Sequence, residues 1–309
     1  MLNPADLRLL RVFATVVECG GFAAAQVELN VGQSTISTQM ADLEARLGMR
    51  LCRRGRAGFG LTDDGHAVHE ATQRLFRAIN AFGSEVGAIG GRLVGDLHIA
   101  VLDNMISNPA YRMDEALARF KRREGAVHMV IHVASPIDIE RAVLDGRYHV
   151  GVGTFPNHAP GLAYARLFDE AMALYCGRGH PLFAAGTVSM EAVENADYVH
   201  RGYATAGRAG GRLPANATAT AYNMEAVAVM VLSGRFIGHL PTHYAARWVD
   251  AGAMRPLLPG RYGFVSRFET VVRRGIPRTA AIDAFLADLA AVHDEGVSDG
   301  MDALASPGA

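Results

Sequence analysis

The chain has 309 residues, half of them hydrophobic and a fifth charged, which describes a folded protein of two or three domains and not a disordered one. Thirty basic residues against 31 acidic ones leave a net charge of −1, so any surface for nucleic acid must be local. Cys19, Cys52 and Cys176 are too scattered for a disulfide framework or a zinc site. The opening residues, with Asp6, Arg8 and Arg11 among apolar ones, do not read as a signal peptide, and no apolar run is long enough to span a membrane, so a cytoplasmic protein is expected.

Residues 1–64 read as short helices and turns. Leu7, Leu10, Phe13 and Val17 recur at helical spacing behind the start signal Asn3-Pro4, and Gly20-Gly21 ends that helix. A small-residue helix follows from Phe22 to Leu29, then a tight turn at Asn30-Val31-Gly32. The third helix runs from Gln33 to Leu47 and is closed by Gly48. Ile36, Met40, Leu43 and Leu47 share one arc of it, while Ser34, Thr35 and Thr38 point away. A helix, a turn and a second helix with small hydroxyls outward is what a helix-turn-helix needs to enter a major groove about 12 Å wide. Arg46, Arg50, Arg53, Arg54 and Arg56 come next, with no acid between Ala45 and Thr62 and with Gly55, Gly58 and Gly60 interspersed. That suits a short hairpin wing whose arginines neutralise phosphates.

These residues carry a resemblance. Phe13, Gly21-Phe22, Ala24-Ala25, Leu29, Val31, Gln33-Ser34-Thr35-Ile36-Ser37, Gln39-Met40, Leu43-Glu44, Leu47-Gly48, Leu51, Arg53-Arg54, Leu61-Thr62 and Gly65 are together similar to the amino-terminal domain of LysR-type transcriptional regulators. Three positions depart from that pattern: Ser34 stands where many members have proline, Thr38 where arginine is frequent, and Cys52 where phenylalanine is usual. The resemblance implies a winged helix-turn-helix over 1–65, with Gln33, Ser34, Thr35, Ser37, Thr38, Arg53, Arg54 and Arg56 as the DNA-contacting residues.

Residues 66–91 form one helical pattern, capped at Thr62 and ended by Gly87, Gly90 and Gly91. Val68, Leu75, Ile79, Phe82, Val86 and Ile89 make an a/d seam on it that calls for a partner helix. The resemblance implies a dimeric linker helix, hence an interrupted inverted repeat in double-stranded DNA and a homodimer that could pair further into a homotetramer.

From Gly95 strand-like and helical runs alternate: strands at 97–101, 127–133, 149–153, 172–176, 198–200, 236–240 and 264–273, with helices through 116–120, 139–144, 225–232 and 279–292. Two α/β lobes with a ligand cleft between them fit this order. The resemblance agrees, implying a periplasmic-binding-protein-like (type 2) effector domain over 92–293 in an α+β multidomain chain. Candidate effector contacts lie past strand ends or at helix starts: Asp103, Asn104, Ser135, Tyr203, Thr205 and Asn223, with His239 inside an apolar strand. A carboxylate at 103 would repel an anion, which hints at an amine or hydroxyl on the effector. Residues 294–309, acidic and without a base, read as a disordered tail.

No phosphate-binding loop, nucleophile elbow, zinc-protease motif or dinucleotide fingerprint occurs, and neither cofactor nor metal is expected. Lys121, the one lysine, sits in a charged run and reads as solvated. The leading expectation is a non-enzymatic DNA-binding regulator switched by a small molecule. The alternative is a cytoplasmic small-molecule-binding protein or enzyme whose amino-terminal helices only dimerise it.

Overall fold

The computed structural model describes residues 3–55, 58–203 and 212–304, and the chain divides into two compact units, Met1–Gly83 and Ser84–Ala309.

In the first unit, α1 (Pro4–Glu18) starts from a capping box: Asp6 N–H donates to Asn3 Oδ1 at 3.0 Å, and Asn3 N–H to Asp6 Oδ2 at 2.8 Å. Helix α2 (Phe22–Leu29) ends on Asn30, which turns left-handed at φ 50°. Helix α3 (Gln33–Leu47) is closed by Gly48 at φ 69°, where a side chain would be strained. Strands β1 (Cys52–Gly55) and β2 (Gly58–Leu61) pair antiparallel, with Arg53 opposite Gly60. Thr62 then caps α4 (Asp63–Ile89), its Oγ1 accepting Gly65 N–H at 2.9 Å. At Gly65 an added Cβ would lie 2.0 Å from the Leu51 carbonyl, so only glycine lets α4 start this close to the wing. Leu9, Phe13, Val16, Phe22, Ala25, Ile36, Met40, Leu43 and Leu51 form one buried cluster. The helices and wing therefore stand where the apolar spacing placed them.

The seam on α4 is a partial correction. Val68 and Leu75, together with Phe76, pack on the head's own core. Ile79 (40% exposed), Phe82 (68%), Val86 (51%) and Ile89 (88%) stay uncovered. The first half of the repeat thus serves the head, and only the second half is open to a partner.

The second unit is built on one nine-stranded sheet in the order β4-β3-β5-β11-β6-β9-β7-β8, with β10 also on β6. Its elements run β3 (Leu93–Val101), a 3-10 turn (Met105–Ser107), α5 (Met113–Lys121), β4 (Gly125–Val133), α6 (Pro136–Leu144), β5 (Val150–Gly153) and β6 (Leu162–Gly177). Then follow α7 (Pro181–Ala184), α8 (Met190–Glu194), β7 (Tyr198–Arg201), β8 (Ala217–Ala221), α9 (Met224–Leu232), β9 (Ile237–Pro241), α10 (Thr242–Asp250), β10 (Met254–Pro256), α11 (Pro259–Tyr262), β11 (Phe264–Arg273) and α12 (Ala280–Leu304).

Strands β6 and β11 are antiparallel and run through both halves of this sheet. Phe168 and Phe268 lie in the core that holds Leu97, Ile99, Phe120 and Phe285, whereas Met172 lies in the core around Val227, Val231 and Leu240. Two cores on one pair of shared strands make two lobes, with residues 169–171 as the crossing point. Strand β6 begins ten residues before the expected Met172, because its first half is the lobe-1 part of the crossing.

Helix α12 continues to Leu304, past residue 293 where a disordered tail was expected, so the acidic composition of 294–304 was misread. That stretch contains no proline, so every one of its backbone N–H groups can join the helix.

Phe13→Ala should cost the head about 3–5 kcal/mol, because it empties a fully buried aromatic site. Val27→Ala, at a position 88% exposed, should change its stability by less than about 0.5 kcal/mol. Urea denaturation followed by circular dichroism measures both.

Candidate nucleic-acid interface and effector cleft

Helix α3 is set against the head by its buried face, Ile36, Met40 and Leu43. Gln33, Ser34, Thr35 and Thr38 are exposed on the other side, and Ser37 is half-buried at its edge. Thr38 Oγ1 donates to the Ser34 carbonyl at 3.0 Å, which holds that hydroxyl close to the helix. Gly32 offers no capping side chain, and Gln26 of α2 takes the role: its Oε1 accepts Gln33 N–H at 3.1 Å. This contact fixes the turn of the helix-turn-helix, and nothing in the sequence spacing announced it.

Glu44 joins α3 to the wing, its Oε1 accepting from Leu51 N–H at 2.8 Å and Cys52 N–H at 3.1 Å. Arg53 is exposed on β1, and among the described residues no ion pair includes it. Arg54 lies on the same strand, and Arg56 falls outside the described residues. Arg46, counted in the basic run, is not available to phosphate in the same way. Its guanidinium reaches Asp42 at 2.9 Å and Asp6 at 3.0 Å, tying α3 to α1.

The second constellation lies where the two lobes of the regulatory unit meet. Asp103, just past β3, accepts Met224 N–H at 2.5 Å and Asn104 Nδ2 at 2.7 Å. Its carboxylate therefore sits at the N-terminus of α9, where the helix dipole favours it, and this explains the acid at that position. Asn223 caps the same helix, accepting Ala226 N–H at 2.7 Å. Ser135 stays in its own turn and caps α6 through Asp138.

A second link crosses the lobes at the strand crossing. Ser107 Oγ donates to His243 Nδ1 (2.9 Å), and His243 Nε2 donates to Glu170 Oε1 (2.8 Å). Asn108 Nδ2 also reaches that oxygen, at 3.4 Å. Glu170 and Asn108 are buried, so these partners replace lost water.

Tyr203 carries its ring beneath Arg201, 4.6 Å from the guanidinium carbon, and its hydroxyl accepts from Arg201 Nη2. Burial raises the Tyr203 phenol; Arg201 opposes the rise, and Asp103 and Glu170 add to it, which places all four groups within electrostatic reach. Thr205 falls outside the described residues. His239 leaves the set of candidate contacts: it is buried in β9, its Nδ1 accepting from the Tyr198 hydroxyl (3.2 Å) and its Nε2 donating to the Tyr262 carbonyl (2.9 Å). An apolar strand flanked by the Tyr198 and Tyr262 groups made it a satisfied core histidine. Arg201, Glu170, Ser107 and His243 were not singled out from the sequence, since each is one polar residue among many until the lobes bring them together.

Comparisons with known proteins identify both parts of the chain. Residues 7–66 match the bacterial regulatory helix-turn-helix family of LysR type, and residues 90–294 match the LysR substrate-binding domain. The chain is 44% identical over 284 residues to the HTH-type transcriptional activator BauR of Pseudomonas aeruginosa, which covers 91% of this chain and 93% of that protein. It is 27% identical over 290 residues to the SDS degradation transcriptional activation protein of a Pseudomonas species, covering 90% and 94%. Full-length CbnR in complex with its target DNA shares the fold at a TM-score of 0.61 and 21% identity, covering 92% of this chain and 98% of that one. The chain belongs to the LysR family of transcriptional regulators, with a helix-turn-helix DNA-binding domain followed by an effector-binding domain.

Burial, with a smaller contribution from the Arg201 charge, lowers His239 from 6.5 to about 4. Its folded pKa is depressed, so the unfolded chain binds this proton first as pH falls, and stability is lost between pH 6.5 and about 4. At the lower end the loss is about 3 kcal/mol. His239→Gln should flatten the fall in melting temperature of the regulatory unit between pH 7 and pH 5, as read by calorimetry.

Proposed function

We propose that this regulator binds an interrupted inverted repeat through α3 and the wing of two heads, and that a small molecule between the lobes of the regulatory unit switches it. The carrying observation is the exposed Gln33, Ser34, Thr35 and Thr38 face of α3, fixed from behind by Ile36, Met40 and Leu43, beside the exposed Arg53. Ser37 lines the edge of that face, while Arg53, Arg54 and Arg56 neutralise phosphates. The uncovered stripe Ile79, Phe82, Val86 and Ile89 supports a homodimer through α4. Ile131, Val133 and Ile137 on lobe 1 and Val229 and Leu232 on α9 are also exposed, which supports further pairing into a homotetramer.

The protein acts by binding and not by catalysis, in the cytoplasm where the promoter lies. No helix among the described residues is long and apolar enough to cross a membrane. Burial pushes the Cys176 thiol up to about 11, so it is not a thiolate at neutral pH, which argues against a cysteine-based redox signal in this domain. The effector instead biases one arrangement of the lobes over another, through Asp103, Asn104, Tyr203, Thr205 and Asn223 at their junction.

Fluorescence anisotropy on duplex DNA across a salt series tests the interface. Arg53→Ala should weaken binding to all sequences and lower the log–log salt slope by about 1, with Arg53→Ala/Arg54→Ala doubling that effect. Thr35→Ala should instead change the ranking of operator variants by about 1–3 kcal/mol. A double arginine variant that binds like the parent would overturn the wing assignment.

A further inference from the structure

Among the described residues, the guanidinium of Arg201 stands at the junction without a counter-charge. It stands at the carboxyl end of β7, opposite Ala221 at the end of β8. Its Nε is buried and has no hydrogen-bond partner, its Nη2 reaches only the neutral Tyr203 hydroxyl, and among the described residues no ion pair includes it. Residues 204–211, which follow Tyr203, contain no acid that could serve. A half-buried guanidinium with an orphaned N–H is costly unless an acceptor arrives, and the planar fork of arginine fits a carboxylate.

The acids nearby already have partners. Asp103 spends its Oδ2 on Met224 N–H and Asn104, and Glu170 its Oε1 on His243 and Asn108. Both carboxylates nevertheless act on the Tyr203 phenol, in the sense opposite to Arg201. An anion alone would gain Arg201 and be repelled by two carboxylates, and a cation alone would gain the carboxylates and be repelled by Arg201. A molecule with a charge of each sign satisfies both.

Building on the reading of this junction as the effector site, we propose that the effector is a small amphoteric molecule, its carboxylate held by Arg201 and Tyr203 and its ammonium directed toward Asp103 and Glu170. The assignment reconciles the acid at 103, just past β3 in one lobe, with an anion anchor on β7 in the other. It makes Arg201 a specificity-determining residue of the regulatory unit. Tyr203 acts with it, turning its hydroxyl hydrogen to the ligand while its oxygen accepts from the guanidinium.

The test is a thermal-shift titration of the full chain with straight-chain amino carboxylates of two to six carbons, beside the matched monocarboxylates and monoamines. At least one amino carboxylate should raise the melting temperature, with its monocarboxylate and monoamine counterparts binding at least about 10-fold more weakly. Arg201→Gln should weaken the responding ligand by about 10–100-fold, the loss of a charge-assisted pair, and Arg201→Lys by less, since it keeps the charge and loses the fork. Unliganded melting temperature and circular dichroism confirm that each variant folds, and Arg201→Lys keeps the test sound if Arg201→Gln does not. DNA retardation by the same variants without ligand should match the parent. Equal binding by monocarboxylates or monoamines, an unchanged response in both Arg201 variants, or no response from any amino carboxylate would overturn the proposal. Retained DNA binding in those cases would leave the regulator reading standing, and its loss in the parent would strike at that reading instead.

Discussion

With Ile36, Met40 and Leu43 sealed into the same core as Phe13 and Leu51, α3 has one rotational setting, because any other would put apolar side chains in water and hydroxyls in the core. That constraint, and not any property of Thr35 or Ser34 themselves, keeps four polar side chains, Gln33, Ser34, Thr35 and Thr38, on the exposed face. Everything around α3 keeps this setting. Gln26 supplies the cap that Gly32 lacks, Glu44 fastens the wing to the helix, and Arg46 is spent on Asp6 and Asp42 to lock α3 to α1. The head thus holds the exposed face of α3 in place from three sides.

The regulatory unit follows a different logic. Its two cores share only β6 and β11, so the lobes are tied by backbone at the crossing and by a few polar contacts beside it. Those contacts, Asp103 on the N-terminus of α9 and Ser107 through His243 to Glu170, are the ones that a change in lobe arrangement would have to remake. A ligand that engages both lobes at this point competes directly with them. A binding event can therefore become a mechanical one without distortion of either core.

The amino-terminal head was largely legible in the sequence, because its architecture rests on local rules: apolar period, capping residues and glycine at turns. The bounds of α3 fell where Gly48 placed them, and the wing lay where the glycines and arginines stood. The uses of Arg46 and Gln26 were not legible, since each depends on a partner from another helix. In the regulatory unit the order of strands could be read, but the length of β6 could not, because its first half owes its burial to lobe 1 and its second to lobe 2. The site was the least legible part. Asp103 and Tyr203 stood out as candidates because they follow strands, His239 is a satisfied core histidine, which one dimension does not tell from a ligand contact, and Arg201 and Glu170 stand out only when two lobes converge.

The outward setting of α3 is the claim on which the account stands, and site-specific photo-crosslinking tests it most directly. A photoreactive residue placed at position 35 of the full chain, bound to duplex DNA carrying its operator, should cross-link to bases and not only to the sugar–phosphate backbone. A retarded complex that forms normally yet gives no base cross-link from that position would contradict the account.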